Sequence, residues 1–331
     1  MDVLSSVMRQ LRLNGAVFFS VEANAPVAAH TPNMRDIARI VMPESETVIP
    51  FHVMLEGECW VETIDRDQEP VRFRAGDVIV FPQGDAHIFV SNLGDRLPPD
   101  LQIYRQAEAA ELPVMMRLVH DEAAEIRFVC GYFGCDGGPL NPIVGSLPPR
   151  IHVSCPDDGP LIEVDLIGAA VEETAAHRDG GEAILARLSE LLFVRVLRWY
   201  VEERAEDAAG WFAGLHDPQL RAALALMHAE PGRDWTVAEL ADNCGMSRAA
   251  FAEHFAASIG ETPMRYLTQW RMQIAATRLR ESQMTVEAVA EHVGYTSQAS
   301  FTRAFRGLVG APPSVWRRRQ SGAHNPAVRT H

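Results

Sequence analysis

The sequence predicts a two-domain α+β protein: an N-terminal β-rich barrel with a helical extension, then an all-α domain holding two helix-turn-helix motifs. Three observations carry this. The 331 residues, 47% hydrophobic and 22% charged, suffice for two cores. The formal charge of −14 divides unevenly: residues 1–231 hold 18 Arg against 36 Asp and Glu, whereas residues 232–331 hold 12 Arg against 8. A segment of the basic part also occurs twice. All 30 basic residues are Arg, so contact with an anion must use guanidinium groups, backbone N–H or neutral donors.

Other classes are disfavoured. No apolar run reaches the roughly 18 residues a membrane span needs, and Met1 to Asn14 lacks a basic flank with an apolar stretch and cleavage site. A soluble, cytoplasmic protein is expected. The five cysteines, Cys59, Cys130, Cys135, Cys155 and Cys244, are scattered without paired CxxC spacing, so reduced thiols are the default.

From about Ala16 to Cys155, short β-rich runs alternate with turn signals, most clearly in RFRAGDVIVFPQGDAHIFV. Ser91 to Glu125 is weakly patterned and reads as an insertion rather than core. From Gly181 to Arg204 the apolar residues Ile184, Leu185, Leu188, Leu191, Leu192, Val196 and Trp199 follow a helical period. A stripe this wide must bury more than one face, so the helix is expected to pack on the barrel and pair with its twin in a homodimer. The expected domains are 1–160 for the barrel, 161–210 for the helical segment and a charged linker, 211–320 for the all-α domain and 321–331 for a disordered tail.

The repeat runs from Thr236 to Pro263 and again from Thr285 to Pro313. Thr236, Val237, Ala241 and Gly245 match Thr285, Val286, Ala290 and Gly294; Ser247, Phe251, Phe255, Gly260 and Pro263 match Ser297, Phe301, Phe305, Gly310 and Pro313. In each copy a Thr cap opens a short helix, with Glu239 completing a capping box in the first copy only. Gly245 or Gly294 turns the chain, and Ser247 or Ser297 caps a second helix with an apolar face. Pro263 to Arg280 reads as a joining helix of about 27 Å at roughly 1.5 Å per residue. That is close to the roughly 34 Å between successive major-groove faces of a duplex. The motifs span about 236–258 and 285–308.

This doubled motif, closed by GYTSQASFTRAFRGLVGAPPSVWR, resembles the DNA-binding domain of the AraC/XylS family of transcription regulators over Asp217 to Arg318. The resemblance implies base contacts from Ser247, Arg248, Ala249, Ala250 and Glu253 in the first copy. In the second it implies Ser297, Gln298, Ala299, Ser300, Thr302 and Arg303. Arg303 suits guanine and Gln298 suits adenine or a phosphate. Glu253 departs from the family's frequent Arg. Arg265, Arg271 and Arg306, with Arg248, are the phosphate candidates, while Arg317 to Arg319 sit where a helix dipole also attracts them.

Upstream, Gly76, Pro82, Gly84 and His87 fit the second cupin motif, and VIPFHVMLEGECWVE resembles a degenerate first one. Together with FVCG at Cys130 they resemble the cupin-type sensor of a subgroup of these regulators. Metal-binding cupins use three or four converging ligands. Here His52 stands alone where the full pattern has two His, and Glu56 is the remaining carboxylate, on one strand face with His52 and Met54. His52, Met54, Glu56 and His87 are therefore read as an effector pocket with no cofactor; a cation would have only His52, His87 and Glu56. Cys130 and Cys135 are redox candidates, with the glycines between them permitting a turn. The expected protein is a regulator binding promoter DNA in response to a small molecule or redox signal, touching RNA polymerase if it activates. A metal-dependent cupin oxygenase or isomerase tethered to DNA is the alternative.

Overall fold

The structure is a computed structural model that describes residues 2–43, 45–64, 66–107, 112–118, 124–136, 140–155, 162–175, 179–203 and 210–323. The expected tail beyond 323 and most of the charged linker, 204–209, lie outside them. The chain forms two compact units, and neither is one continuous stretch. One comprises Leu13–Asp136 and Pro148–Glu202; the other gathers Met1–Arg12, Gly137–Leu147 and Glu203–His331. Among the described residues no helix is long and apolar enough to cross a membrane.

In chain order the elements up to residue 90 are α1 (Val3–Met8), β1 (Arg12–Ala23), β2 (Ala28–Thr31), α2 (Met34–Val41), β3 (Thr47–Glu56), β4 (Glu58–Thr63), β5 (Val71–Arg74), β6 (Val78–Val80) and β7 (His87–Val90). There follow α3 (Leu101–Ala107), β8 (Val114–Leu118), β9 (Ile126–Asp136), α4 (Pro142–Ser146), β10 (Ile151–Val153), α5 (Ile162–Ala175) and α6 (Gly181–Glu203). Among the described residues ten strands make two sheets, ordered β10-β6-β3-β9-β1-β8 and β2-β7-β4-β5. Their inner faces enclose a core that includes Phe19, Val61, Phe73, Phe89 and Phe128.

Two sequence expectations change here. The stretch from Ser91 to Glu125 is not merely an insertion: β8 pairs parallel with β1, Phe19 opposite Val114, and Tyr104 of α3 enters the core. The weak pattern reflects an edge strand and a seven-residue helix, each too short to establish a period. Gly131 and Gly134 do not turn the chain either, because β9 pairs with β3 from Arg127 to Cys135. Gly131 instead makes room, since a Cβ there would meet the Phe51 ring at 2.2 Å and the Ala16 carbonyl at 2.7 Å.

Helix α5 buries Val164, Ile167 and Val171, spaced by three and four. Helix α6 buries Leu185, Leu192, Phe193, Val196, Leu197 and Tyr200, and the Phe193 ring lies 4.8 Å from that of Phe133. The wide apolar stripe read from sequence is thus largely used within this unit, leaving Ile184 and Leu191 exposed.

The other unit adds α7 (Trp211–His216), α8 (Pro218–Ala229), α9 (Val237–Asn243), α10 (Arg248–Ile259), α11 (Pro263–Glu281), α12 (Val286–His292), α13 (Gln298–Val309) and α14 (Pro313–Ala323). The capping box at Thr236 and Glu239 is present, and Thr285 Oγ1 accepts from the Ala288 N–H at 3.1 Å. Pro263 opens α11, which buries Tyr266, Leu267, Trp270 and Ile274 as the spine. Both turn glycines have positive φ, 67° at Gly245 and 84° at Gly294. Helix α1 buries Val3 and Val7, and Ser6 Oγ pairs with His228 Nδ1 of α8 at 3.2 Å.

Candidate nucleic-acid interface and sensor cavity

The second helix of each helix-turn-helix follows the same division of labour. Phe251 and Phe255 of α10, and Phe301 and Phe305 of α13, are fully buried. A side chain four residues along lies on the same face, so these phenylalanines fix the rotation of each helix and turn the opposite face outward. Ser247, Arg248, Ala249, Ala250 and Glu253 are exposed on the first; Ser297, Gln298, Ala299 and Arg303 are exposed on the second, with Ser300 and Thr302 half-buried. The Ser247 hydroxyl accepts from the Ala250 N–H at 3.2 Å, whereas Ser297 makes no side-chain cap and its carbonyl accepts from the Ser300 hydroxyl.

The phosphate candidates separate. Arg265 and Arg306 are exposed, and Arg265 shares an open recess with Arg303, Thr268 and Gly307 while pairing with Glu261 at 3.4 Å. Arg271 is placed otherwise. Its guanidinium donates to the carbonyls of Pro231 at 2.6 Å and Arg233 at 2.7 Å, and burial lowers its pKa. Those N–H groups hold a turn, a role invisible in a sequence where carbonyl partners lie about forty residues away. Arg317 likewise donates to the carbonyls of Leu279 and Met284, beside the C-terminal end of α11.

In the β-rich unit, His52 on β3 and His87 on β7 meet across the two sheets, Nε2 to Nε2 at 2.7 Å, both wholly buried. His87 Nδ1 lies 2.8 Å from the Asp85 carbonyl and so carries a proton. His87 Nε2 then accepts, His52 Nε2 donates, and the His52 Nδ1 lone pair has no partner among the described residues. Phe81 stacks on His87 at 3.7 Å between ring centres, Phe89 packs edge-on against His52, and burial holds the His52 pKa well below its usual value.

Glu56 does not join them. A bulge between Met54 and Glu56 breaks the period-two alternation on which their shared face was argued, and Glu56 turns outward to pair with Arg127 at 2.8 Å. Met54 is core. A cation site needs three or more donors, and among the described residues no such group of His, Cys, Asp or Glu exists. The residues present do not fit a cupin metal.

Cys130 and Cys135 are buried at the two ends of a five-residue step on one continuous strand. At about 3.4 Å per residue that step is about 17 Å, far beyond the roughly 7 Å between Cα atoms that a disulfide spans. Burial also pushes the Cys130 thiol well above its usual pKa. Cys130 instead lines a cavity of about 270 Å³ between the sheets and α3, walled by Phe19, Phe89, Ile103, Tyr104 and Met116. Sequence reasoning missed this cavity because half its wall comes from the supposed insertion. The aromatic and apolar residues of IYRQ and VMMRL were its only signal.

A cupin family model matches residues 2–202 and a helix-turn-helix domain model matches residues 240–319. An AraC-like transcription regulator of Streptomyces lividans is 30% identical over 83% of this chain and 88% of its own length. The HTH-type transcriptional regulator AlkR of Acinetobacter baylyi is 29% identical over 96% and 99%. The DNA-binding domain of AdpA, solved with a target DNA, is 27% identical over 34% of this chain and 98% of its own, with a TM-score of 0.31.

Proposed function

This chain belongs to the AraC-like transcription regulators, with a cupin domain ahead of its helix-turn-helix domain, and we propose that it is a cytoplasmic, homodimeric regulator whose effector is a small apolar molecule. The observation that carries the DNA-facing part is the pair of phenylalanine-anchored helices with polar faces turned outward. Arg303 reads guanine through a bidentate contact and Gln298 reads adenine or a phosphate. Arg265, Arg306 and Arg248 hold phosphates, while Arg271 positions the domain. No covalent step is assigned to the chain.

The effector enters the cavity beneath α3, where aromatic and aliphatic walls offer burial and Tyr104, Thr31, Cys130, His30 and Asp100 are the polar residues of the lining. It acts by differential affinity for two states of the protein, the only way a ligand shifts such an equilibrium. The second copy of the chain covers Ile184 and Leu191, seven residues apart on α6 with half-buried Leu188 between them. RNA polymerase is a further partner if the outcome is activation.

Full-length protein is titrated onto promoter fragments of its own locus at several salt concentrations, with and without toluene. Salt-sensitive binding is expected, since neutralised phosphates release counterions. Absence of any salt-dependent complex overturns the DNA reading; a toluene response unchanged by Ala29→Phe, which fills the cavity, overturns the effector reading.

A further inference from the structure

We propose that Glu261 competes with DNA for Arg265: its carboxylate holds the guanidinium in the free protein and yields it to a backbone phosphate when promoter DNA binds. The proposal rests on the reading of Arg265 as a phosphate contact and adds what sets the strength of that contact. Arg265 Nε lies 3.4 Å from Glu261 Oε2, with the Arg side chain 70% exposed and the Glu side chain 19%. The pair stands at the start of α11, and Arg265 borders the same open recess as Arg303, Thr268 and Gly307. A strand whose bases meet α13 at Arg303 thus carries its phosphates past Arg265.

The two side chains are unequal. Arg265 can swing through solvent, whereas Glu261 borders a space walled by Pro142, Trp211, Ile259 and Trp270, in whose lining, among the described residues, Glu261 bears the only charge. Burial raises the Glu261 pKa above its ordinary value, and Arg265 works against that rise. Losing Arg265 to DNA leaves a poorly hydrated carboxylate without its cation, close to a phosphate of the same sign. The exchange therefore takes back part of what the phosphate contact supplies.

The repeat argues against a purely structural need for the carboxylate. At the matched turn of the second copy Ala311 stands for Glu261 and Val315 for Arg265, yet Gly310 keeps the left-handed conformation of Gly260, with φ of 81° against 90°. The turn into the helix thus forms without the ion pair. Glu261 also precedes the N-terminus of α11, where a negative charge favours the helix. That role bears on stability and gives Glu261 no dependence on Arg265 in DNA binding.

Full-length protein carrying Glu261→Gln, Arg265→Ala or both is titrated onto a promoter fragment of its own locus over a range of salt concentrations, as a double-mutant cycle. Glu261→Gln should bind about threefold more tightly at low salt, the scale of a part-exposed ion pair. Its plot of log affinity against log salt should be steeper by up to about 1, because the abandoned carboxylate of the parent takes up a cation as the phosphate releases one. Both gains should vanish in the Arg265→Ala background. Glu261→Ala, which copies the matched turn, is the second variant and should repeat the result. A gain that persists in the Arg265→Ala background overturns the competition, since Glu261 would then act on DNA directly. So does unchanged affinity and slope in both Glu261 variants while Arg265→Ala still binds more weakly than the parent. Arg265→Ala without effect in either background overturns the phosphate reading of Arg265 and the competition with it.

Discussion

Alanine at Gly294 should destabilise the second helix-turn-helix more than alanine at Gly245 does the first, although the two glycines are matched members of the repeat. Both sit at positive φ, 67° and 84°, where an L-residue is disfavoured by about 1–2 kcal/mol. At Gly245 an added Cβ meets nothing within 4 Å, so that strain is the whole cost. At Gly294 the Cβ would lie 2.3 Å from the Gly232 carbonyl oxygen and 2.9 Å from its carbon. These are backbone atoms and cannot rotate aside. Arg271 grips the Pro231 and Arg233 carbonyls on either side of Gly232, so the turn is held where the methyl would go. Overpacking of this kind costs a further 1–3 kcal/mol or so, placing Gly294→Ala at about 2–5 kcal/mol against about 1–2 for Gly245→Ala. Native-state hydrogen exchange of the full chain reads each motif separately, through the amides of α12 and α13 or of α9 and α10. Equal loss of protection in the two variants would refute the argument, since it would mean that the Gly232 contact adds nothing to the φ strain.

Arg303→Ala should weaken promoter binding by about 1–3 kcal/mol and relax preference at one base pair, whereas Arg271→Ala should leave the salt slope unchanged and lower protection around Gly294; a reduced slope in Arg271→Ala would return that residue to the phosphate set. His228 is buried and its pKa is lowered to about 3 by desolvation, so on acidification the unfolded chain takes up the proton first and stability falls as pH drops from about 6.5 toward about 3. The loss is about 2 kcal/mol by about pH 5, and denaturation followed against pH should show a flatter acid limb in His228→Asn; parallel limbs would remove His228 as the cause. Cys130 should resist mild peroxide and alkylation in native protein, because its thiol is buried and its pKa raised; rapid native labelling found by mass spectrometry would restore a thiol sensor.

Much of the DNA-facing domain was legible because its signals are local. A Thr with a Glu three residues on, a Gly at a turn and two Phe four apart each dictate conformation within a single helical turn, and the repeat states them twice. The barrel was less legible. His52 and His87 were recognised, and they meet, but their partner Glu56 was assigned by strict alternation, which a bulge at Met54 cancels. Tyr104 and Met116 were passed over because the strand and helix that carry them are too short to show a period. Arg271 and Arg303 are the same residue type on neighbouring helices, and no sequence pattern says that one faces solvent while the other closes on two carbonyls.

The sequence by itself determined the two classes of domain, the doubled helix-turn-helix and the outward faces of its recognition helices, since periodicity and capping act between neighbours in the chain. Tertiary structure alone decided which chain segments form each unit, which guanidinium groups remain available and where the cavities lie. Those outcomes depend on contacts between residues tens to hundreds of positions apart, such as Ser6 with His228 and Gly232 with Gly294, whose geometry is fixed only when the elements pack.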